Sequence, residues 1–166
     1  MHPPQEGLTK AEGDSRAPAG VFRLGDAMGY SAALPESAEW PYRSSMNGAV
    51  CVDDAASSHY NQIAGPETPH DWKSAEILSR KDILYRWLLL VDHNGLVGTS
   101  QPTPGAGSCI FFHVWRSAGK GTDGCTAAAE SVLVDTLRWL APGAEPLLVR
   151  LPREEYEARR LEWGLP

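Results

Sequence analysis

No stretch of this chain approaches the ~18 consecutive apolar residues that a membrane-spanning helix needs, and a bilayer span is excluded on that count. The first thirty residues are rich in Pro, Gly and charge and lack the apolar core of a secretory signal. Basic residues are outnumbered, 15 Lys and Arg against 21 Asp and Glu, for a formal charge of −6. A chain with no basic stripe has no footprint for a phosphate backbone, so nucleic acid is excluded as a partner class. Cysteine is scarce: Cys51, Cys109 and Cys125 make neither a disulfide framework nor, without a Cys-x-x-Cys pair, a zinc knuckle. Burial as free thiols is the favoured reading of Cys51 and Cys109, with pairing left open for an oxidising compartment. There is no internal repeat, no low-complexity tract, and no Gly-x-Ser-x-Gly elbow to make Ser131 a nucleophile.

The chain does have turn formers, 16 Gly and 13 Pro, which point to short strands and long loops over a helical bundle. Hydrophobic residues at 42% and charged residues at 22% are ordinary for a soluble globular protein. Residues 1–166 therefore read as one domain, long enough to bury a core without staples. The fold class is α+β, mainly β.

Residues 1–20 form a polar entry loop, and Val21 to Leu24 alternates as a short strand. Residues 29–62 are irregular, broken by Pro35, Pro41 and Asp53-Asp54. Trp72 to Arg80 reads as a helical turn or two. Leu84 to Val91 is the strongest strand candidate, closed by the turn signal Asp92-His93-Asn94-Gly95. In the strand Cys109 to Trp115, a period of two sets Cys109, Phe111, His113 and Trp115 on one face and Ile110, Phe112 and Val114 on the other. The second set is wholly apolar and belongs to the core, which turns His113 toward a groove. Leu133, Leu137 and Leu140 follow helical spacing up to Pro142-Gly143. Leu147 to Leu151 is a last strand. Pro152 to Trp163 is a closing helix, with Glu154 and Glu155 in its first turn and Gly164 as its stop.

The chemistry lies in His113 and Cys125, twelve positions apart, with glycine before the cysteine. One loop folding back sets an imidazole against a thiol, and cysteine catalysis needs that pairing because the thiolate is the nucleophile and the histidine takes its proton. Gly124 allows close approach to a carbonyl. The amides of Gly124 and Cys125 offer an oxyanion hole, and a helix following Cys125 would favour the thiolate through its N-terminus. On spacing alone the same residues fit equally well a small buried cysteine in a loop and a hydrogen-bonded strand histidine. Elsewhere, Asp53-Asp54 with His59 reads as turn formers and not as metal ligands. Trp72, Trp87 and Tyr85 read as core or rim, and Lys73 and Glu76 as solvated charges. No metal site is expected.

The run His113 … Thr122-Asp123-Gly124-Cys125, with Gly107-Ser108-Cys109-Ile110-Phe111-Phe112-His113 before it, resembles the signature of the L,D-transpeptidase catalytic domain, the YkuD-like family. Lys10-Ala11-Glu12-Gly13-Asp14 with Ala17-Pro18-Ala19-Gly20-Val21-Phe22 is also similar to that family. So are Val52-Asp53-Asp54, His59-Tyr60-Asn61, Trp72-Lys73-Ser74-Ala75-Glu76, and Leu151-Pro152 with Trp163-Gly164-Leu165-Pro166, so the resemblance spans nearly the whole chain. Two positions depart from it: Asp123 stands where a histidine is usual, and Ala127 where an arginine is frequent.

The resemblance implies a β-sandwich-like domain, with a helix after the catalytic cysteine and another at the C-terminus, that remodels peptidoglycan stem peptides. Cys125 would be the nucleophile and His113 the base, its ring oriented by the carbonyl of Val114. Gly124 and Cys125 amides would hold the oxyanion. Thr122, Asp123, Tyr60 and Trp115 would meet the substrate. No cofactor is implied, and the oligomeric state is left open. The family setting is periplasmic or otherwise extracytoplasmic, and it implies N-terminal strands and an export signal upstream of Met1. Two alternatives remain: a truncated, catalytically inactive domain that binds peptidoglycan or a partner, and an unrelated cysteine hydrolase.

Overall fold

The computed structural model describes residues 9–44, 46–80 and 82–166, so residues 1–8 of the expected entry loop lie outside the described residues. The architecture is α+β and mainly β, with nine strands in two sheets and two α-helices among those residues. The larger sheet comprises β1 (Gly20–Met28), β2 (Tyr42–Arg43), β6 (Leu88–Val91), β7 (Phe111–Val114), β8 (Thr126–Ala128) and β9 (Leu147–Arg150). Its order is β2-β1-β6-β7-β8, with β9 joined to β1. A second sheet, in order β4-β3-β5, is made by β3 (Val50–Val52), β4 (Ile63–Ala64) and β5 (Ala75–Ile77).

β1 runs beyond the four residues expected of it because it serves several partners. Its first half pairs with β9 and its second half with β6 and β2, with a register shift between Leu24 and Ala27 where the partners change. β6 reads Leu-Leu-Leu-Val with all four residues buried, as a strand covered on both faces must. Leu84 and Tyr85, expected to begin that strand, instead belong to a 3-10 turn over Ile83–Tyr85, capped by the Asp82 carboxylate, which accepts from Leu84 N–H.

The period-two reading of β7 describes the packing. Ile110, Phe112 and Val114 join Leu89, Val91, Leu133 and Leu137 in one core cluster. Cys109 and Phe111 join Leu88, Leu90, Cys51, Leu78 and Tyr85 in another. Helix α1 (Glu130–Trp139) therefore covers one face of the large sheet, and the small sheet lies against the other. Leu133 and Leu137 are fully buried, each worth about 1.5–3 kcal/mol of apolar transfer. Helix α2 (Arg153–Arg159) follows Pro152 with Glu154 and Glu155 in its first turn. Gly164 beyond it takes a positive φ of 62°, the conformation a helix stop requires.

Three features of the fold differ from what the sequence pattern predicts. Residues 72–80 hold no helix: β5 pairs with β3 in antiparallel register, Cys51 opposite Glu76, so long-range pairing decides that segment. Cys125 is not followed at once by a helix. β8 intervenes, so the N-terminus of α1 does not lie at the thiol. Cys51 and Cys109 are joined in a disulfide, with Cα atoms 5.9 Å apart, which ties β3 of the small sheet to the start of β7.

Candidate active site

β7 and β8 run parallel, with His113 opposite Ala127 and Phe112 opposite Thr126. Cys125 immediately precedes β8 and so lies two residues behind the partner of His113. Strands ~4.8 Å apart with a rise of ~3.3 Å per residue place the two Cα positions on a diagonal of roughly 8 Å. Both side chains line one cavity of about 480 Å³, which Thr122, Asp123 and Trp115 also line. A larger depression, about 830 Å³ near Asp26, Arg43, Gln62 and Gln101, holds no cysteine or histidine among its lining residues, so the thiol and the imidazole are features of the smaller one.

The His113 ring is buried, with Nδ1 2.7 Å from the carbonyl oxygen of Val114. Donation from Nδ1–H to that carbonyl fixes the tautomer and leaves Nε2 as the basic nitrogen. Burial lowers the pKa of His113 below its ordinary value, opposed by the Val114 hydrogen bond. The imidazole is thus held neutral, the form a base needs. Tyr85 packs edge-on to it, with ring centroids 5.2 Å apart.

The Cys125 Sγ sits beside the backbone of β7. It accepts from Phe111 N–H at 3.3 Å and donates to the Cys109 carbonyl at 3.4 Å. No hydrogen bond joins it to His113 among the described residues. Burial first, and then the charge of Glu76, push the thiol pKa up to about 12. The raised thiol pKa favours the protonated sulfur and the lowered imidazole pKa the neutral ring, and no ion pair joins the two among the described residues.

Gly124 adopts φ +125°, and a Cβ there would stand 2.8 Å from the Arg16 carbonyl oxygen. Glycine is required at this position both for its φ and for its space. Of the two amides expected to hold an oxyanion, Gly124 N–H is directed at Thr122 Oγ1, 3.4 Å away. The Cys125 N–H donates no backbone hydrogen bond outside the ladders among the described residues. Thr122 Oγ1 also donates to the Cys125 carbonyl at 2.7 Å, and Ser15 Oγ donates to Asp123 at 3.1 Å. Thr122 and Asp123 are thus tied by hydrogen bonds into the loop that carries Cys125. Val114 serves through its carbonyl alone, since its side chain lies in the core.

Tyr60 departs from its expected role. It is buried and absent from the cavity wall, where Glu12 stands instead; its hydroxyl donates to Glu12 Oε2 at 2.6 Å, so it reaches the site through that carboxylate. Asp53 lines the cavity too, while Asp54 acts as a turn former, accepting from Ala56 N–H and Lys73 N–H.

Among the residues around the site that the sequence did not assign to it, two bear on the thiol and its loop. Glu76 is no solvated charge: it lines the cavity and accepts a hydrogen bond from the Tyr85 hydroxyl. Burial raises its pKa against the opposing effect of that bond, and burial together with the Glu76 charge raises that of Tyr85. The second is Arg150 of β9, whose Nη1 donates to the Gly124 carbonyl at 2.8 Å. A lone cation inside the apolar run Leu147 to Leu151 was the signal available for it. No protein-family model, curated protein or solved structure matches the chain.

Proposed function

We propose that the chain is a cysteine peptidyltransferase of L,D-transpeptidase type, acting on peptidoglycan stem peptides through a thioester and built on that family's β-sandwich. The reading is carried by one observation: the Cys125 thiol and the His113 imidazole, oriented by Val114, line the same cavity. In the proposed reaction the thiol proton passes to His113 Nε2 as sulfur attacks the substrate carbonyl. The oxyanion is met by the Cys125 N–H. Collapse breaks the peptide bond, and the departing amine takes the proton from the imidazolium. An amine or water then releases the acyl group, giving cross-link or L,D-carboxypeptidase product from the same thioester.

Because the resting thiol is protonated, attack is coupled to proton transfer once substrate displaces water. The wall carries both signs, with Glu12, Asp53 and Glu76 as acids and Arg80, Arg116 and Lys120 as bases. That mixture suits a peptide bearing both free amines and carboxylates. The Cys51–Cys109 disulfide favours an oxidising, extracytoplasmic setting.

The raised thiol pKa and the absence of a Cys125–His113 hydrogen bond favour a second reading, an inactive domain that binds stem peptides without cleaving them. Intact mass after incubation with a tetrapeptide stem, and separately with a carbapenem, tests the two. An adduct on the native chain and none on Cys125→Ala is the expected result. A folded protein that forms no adduct, yet binds the tetrapeptide, would replace the enzyme reading with the second.

A further inference from the structure

Arg150 is an awkward residue to keep for stability. Its guanidinium is largely enclosed, lying over the Phe22 ring at 5.8 Å, and Nε and Nη2 are buried with no hydrogen-bond partner among the described residues. Buried polar nitrogens are partnered as a rule, and each exception costs stability and needs a reason. A methionine or leucine would fill the same space without that cost. The one hydrogen bond the group makes goes to the carbonyl of Gly124, the residue before the nucleophile.

That carbonyl shares a peptide plane with the N–H of Cys125. A trans peptide is planar, with its C=O and N–H pointing in opposite directions. Holding the Gly124 oxygen on one side therefore aims the Cys125 N–H to the other. Gly124 is the most freely rotating residue at this point, at φ +125°, and without an anchor its carbonyl has no fixed direction. A cationic donor on the carbonyl also polarises the amide and strengthens its N–H as a donor. The following peptide is fixed separately, by Thr122 Oγ1 on the Cys125 carbonyl.

We infer that Arg150 is a positioning residue that orients the Gly124–Cys125 peptide so that the Cys125 N–H serves as the oxyanion donor. This rests on the acyl-transfer reading of the site. Arg150 makes no hydrogen bond to the Cys125 sulfur; its charge lowers the thiol pKa, and its one donated bond goes to the backbone carbonyl of Gly124.

Two reactions at the same sulfur separate this role from a merely structural one. Acylation by p-nitrophenyl acetate passes through an oxyanion, whereas alkylation by iodoacetamide is a direct displacement at carbon and forms none. Both rates are measured on the full chain for wild type, Arg150→Lys and Arg150→Met, with folding checked by thermal melts. Loss of an oxyanion donor costs about 10²–10³-fold in rate, so acylation should fall by about tenfold or more in Arg150→Met. Alkylation should follow only the change in thiolate fraction, and the acylation-to-alkylation ratio should therefore drop. Arg150→Lys, which keeps the charge and one donor, should recover part of the ratio. Arg150→Lys is read alone if the Met variant does not fold, and it should still show a lower ratio than wild type. An unchanged ratio in the folded variants would overturn the inference while leaving the thioester reading intact. A wild-type protein alkylated by iodoacetamide but not acylated by the ester would overturn both.

Discussion

Reduction of the Cys51–Cys109 disulfide is the perturbation whose size follows most directly from the structure. The bridge closes a loop with a sequence separation of 58. In the chain-entropy account such a loop removes about 14 cal/mol/K from the unfolded ensemble, or about 4 kcal/mol at 25 °C. Native contacts change little on reduction, because Cys51 and Cys109 are both buried and a free cysteine packs as a small hydrophobe. In a domain of this length each kcal/mol shifts Tm by about 2–4 °C, so reduction should lower Tm by roughly 8–16 °C. The assay is a thermal melt of the Cys125→Ala protein, oxidised and reduced, with the two-hydrogen mass increase confirming reduction. The Cys125→Ala background removes the third thiol, which lies against the Cys109 carbonyl and would otherwise exchange with the bridge. A fully reduced protein melting within about 3 °C of the oxidised form would refute the loop-entropy argument. Absence of the bridge in protein purified under oxidising conditions would refute the geometry itself.

Gly124→Ala should destabilise the fold and abolish acylation together, since the new Cβ meets the Arg16 carbonyl at 2.8 Å and the φ of +125° is strained for alanine. About 1–3 kcal/mol is the expected cost of a residue in a sparsely populated backbone region, read by denaturant titration; an unchanged midpoint would contradict the crowding. Glu76→Gln removes the charge that raises the Cys125 pKa. Iodoacetamide alkylation at pH 8 should then speed up several-fold, and a slower reaction would show that the carboxylate supports the thiolate. His93 and His113 both have folded pKa values lowered chiefly by burial. The unfolded chain therefore binds more protons below about pH 6.5, and stability should fall as pH drops from 7 toward 5. Glu76, with its raised folded pKa, has the opposite sign, so the Gln variant should show a steeper acid loss; a shallower one would assign the wrong group.

The elements legible in the sequence were those whose pattern is local. β7 announced its two faces through alternation, α1 through its leucine spacing, and α2 through Pro152 and Gly164. β5 and β8 are three residues each and carry no period of their own. They exist because β3 and β7 lie beside them, and no local window contains that information. The His113–Val114 contact was expected only through the resemblance to a known family, and no period or spacing pointed to it. The burial of Glu76 was not legible, since a cavity wall assembled from five segments sets it. Cys51 and Cys109 showed why counting cysteines is weaker than placing them: the free-thiol reading rested on composition, whereas the bridge depends on two sheets meeting face to face.

The pairing of β9 with β1 sets Gly20 opposite Arg150, which couples the two ends of the chain in time as well as in space. Contacts between such distant residues form late, after the entropy of closing a long loop has been met. His113 and Cys125 are synthesised long before Arg150 reaches the Gly124 carbonyl. Of the nine described strands β9 is the last in sequence, so the thiol and the imidazole precede in the chain the strand whose Arg150 anchors the Gly124 carbonyl.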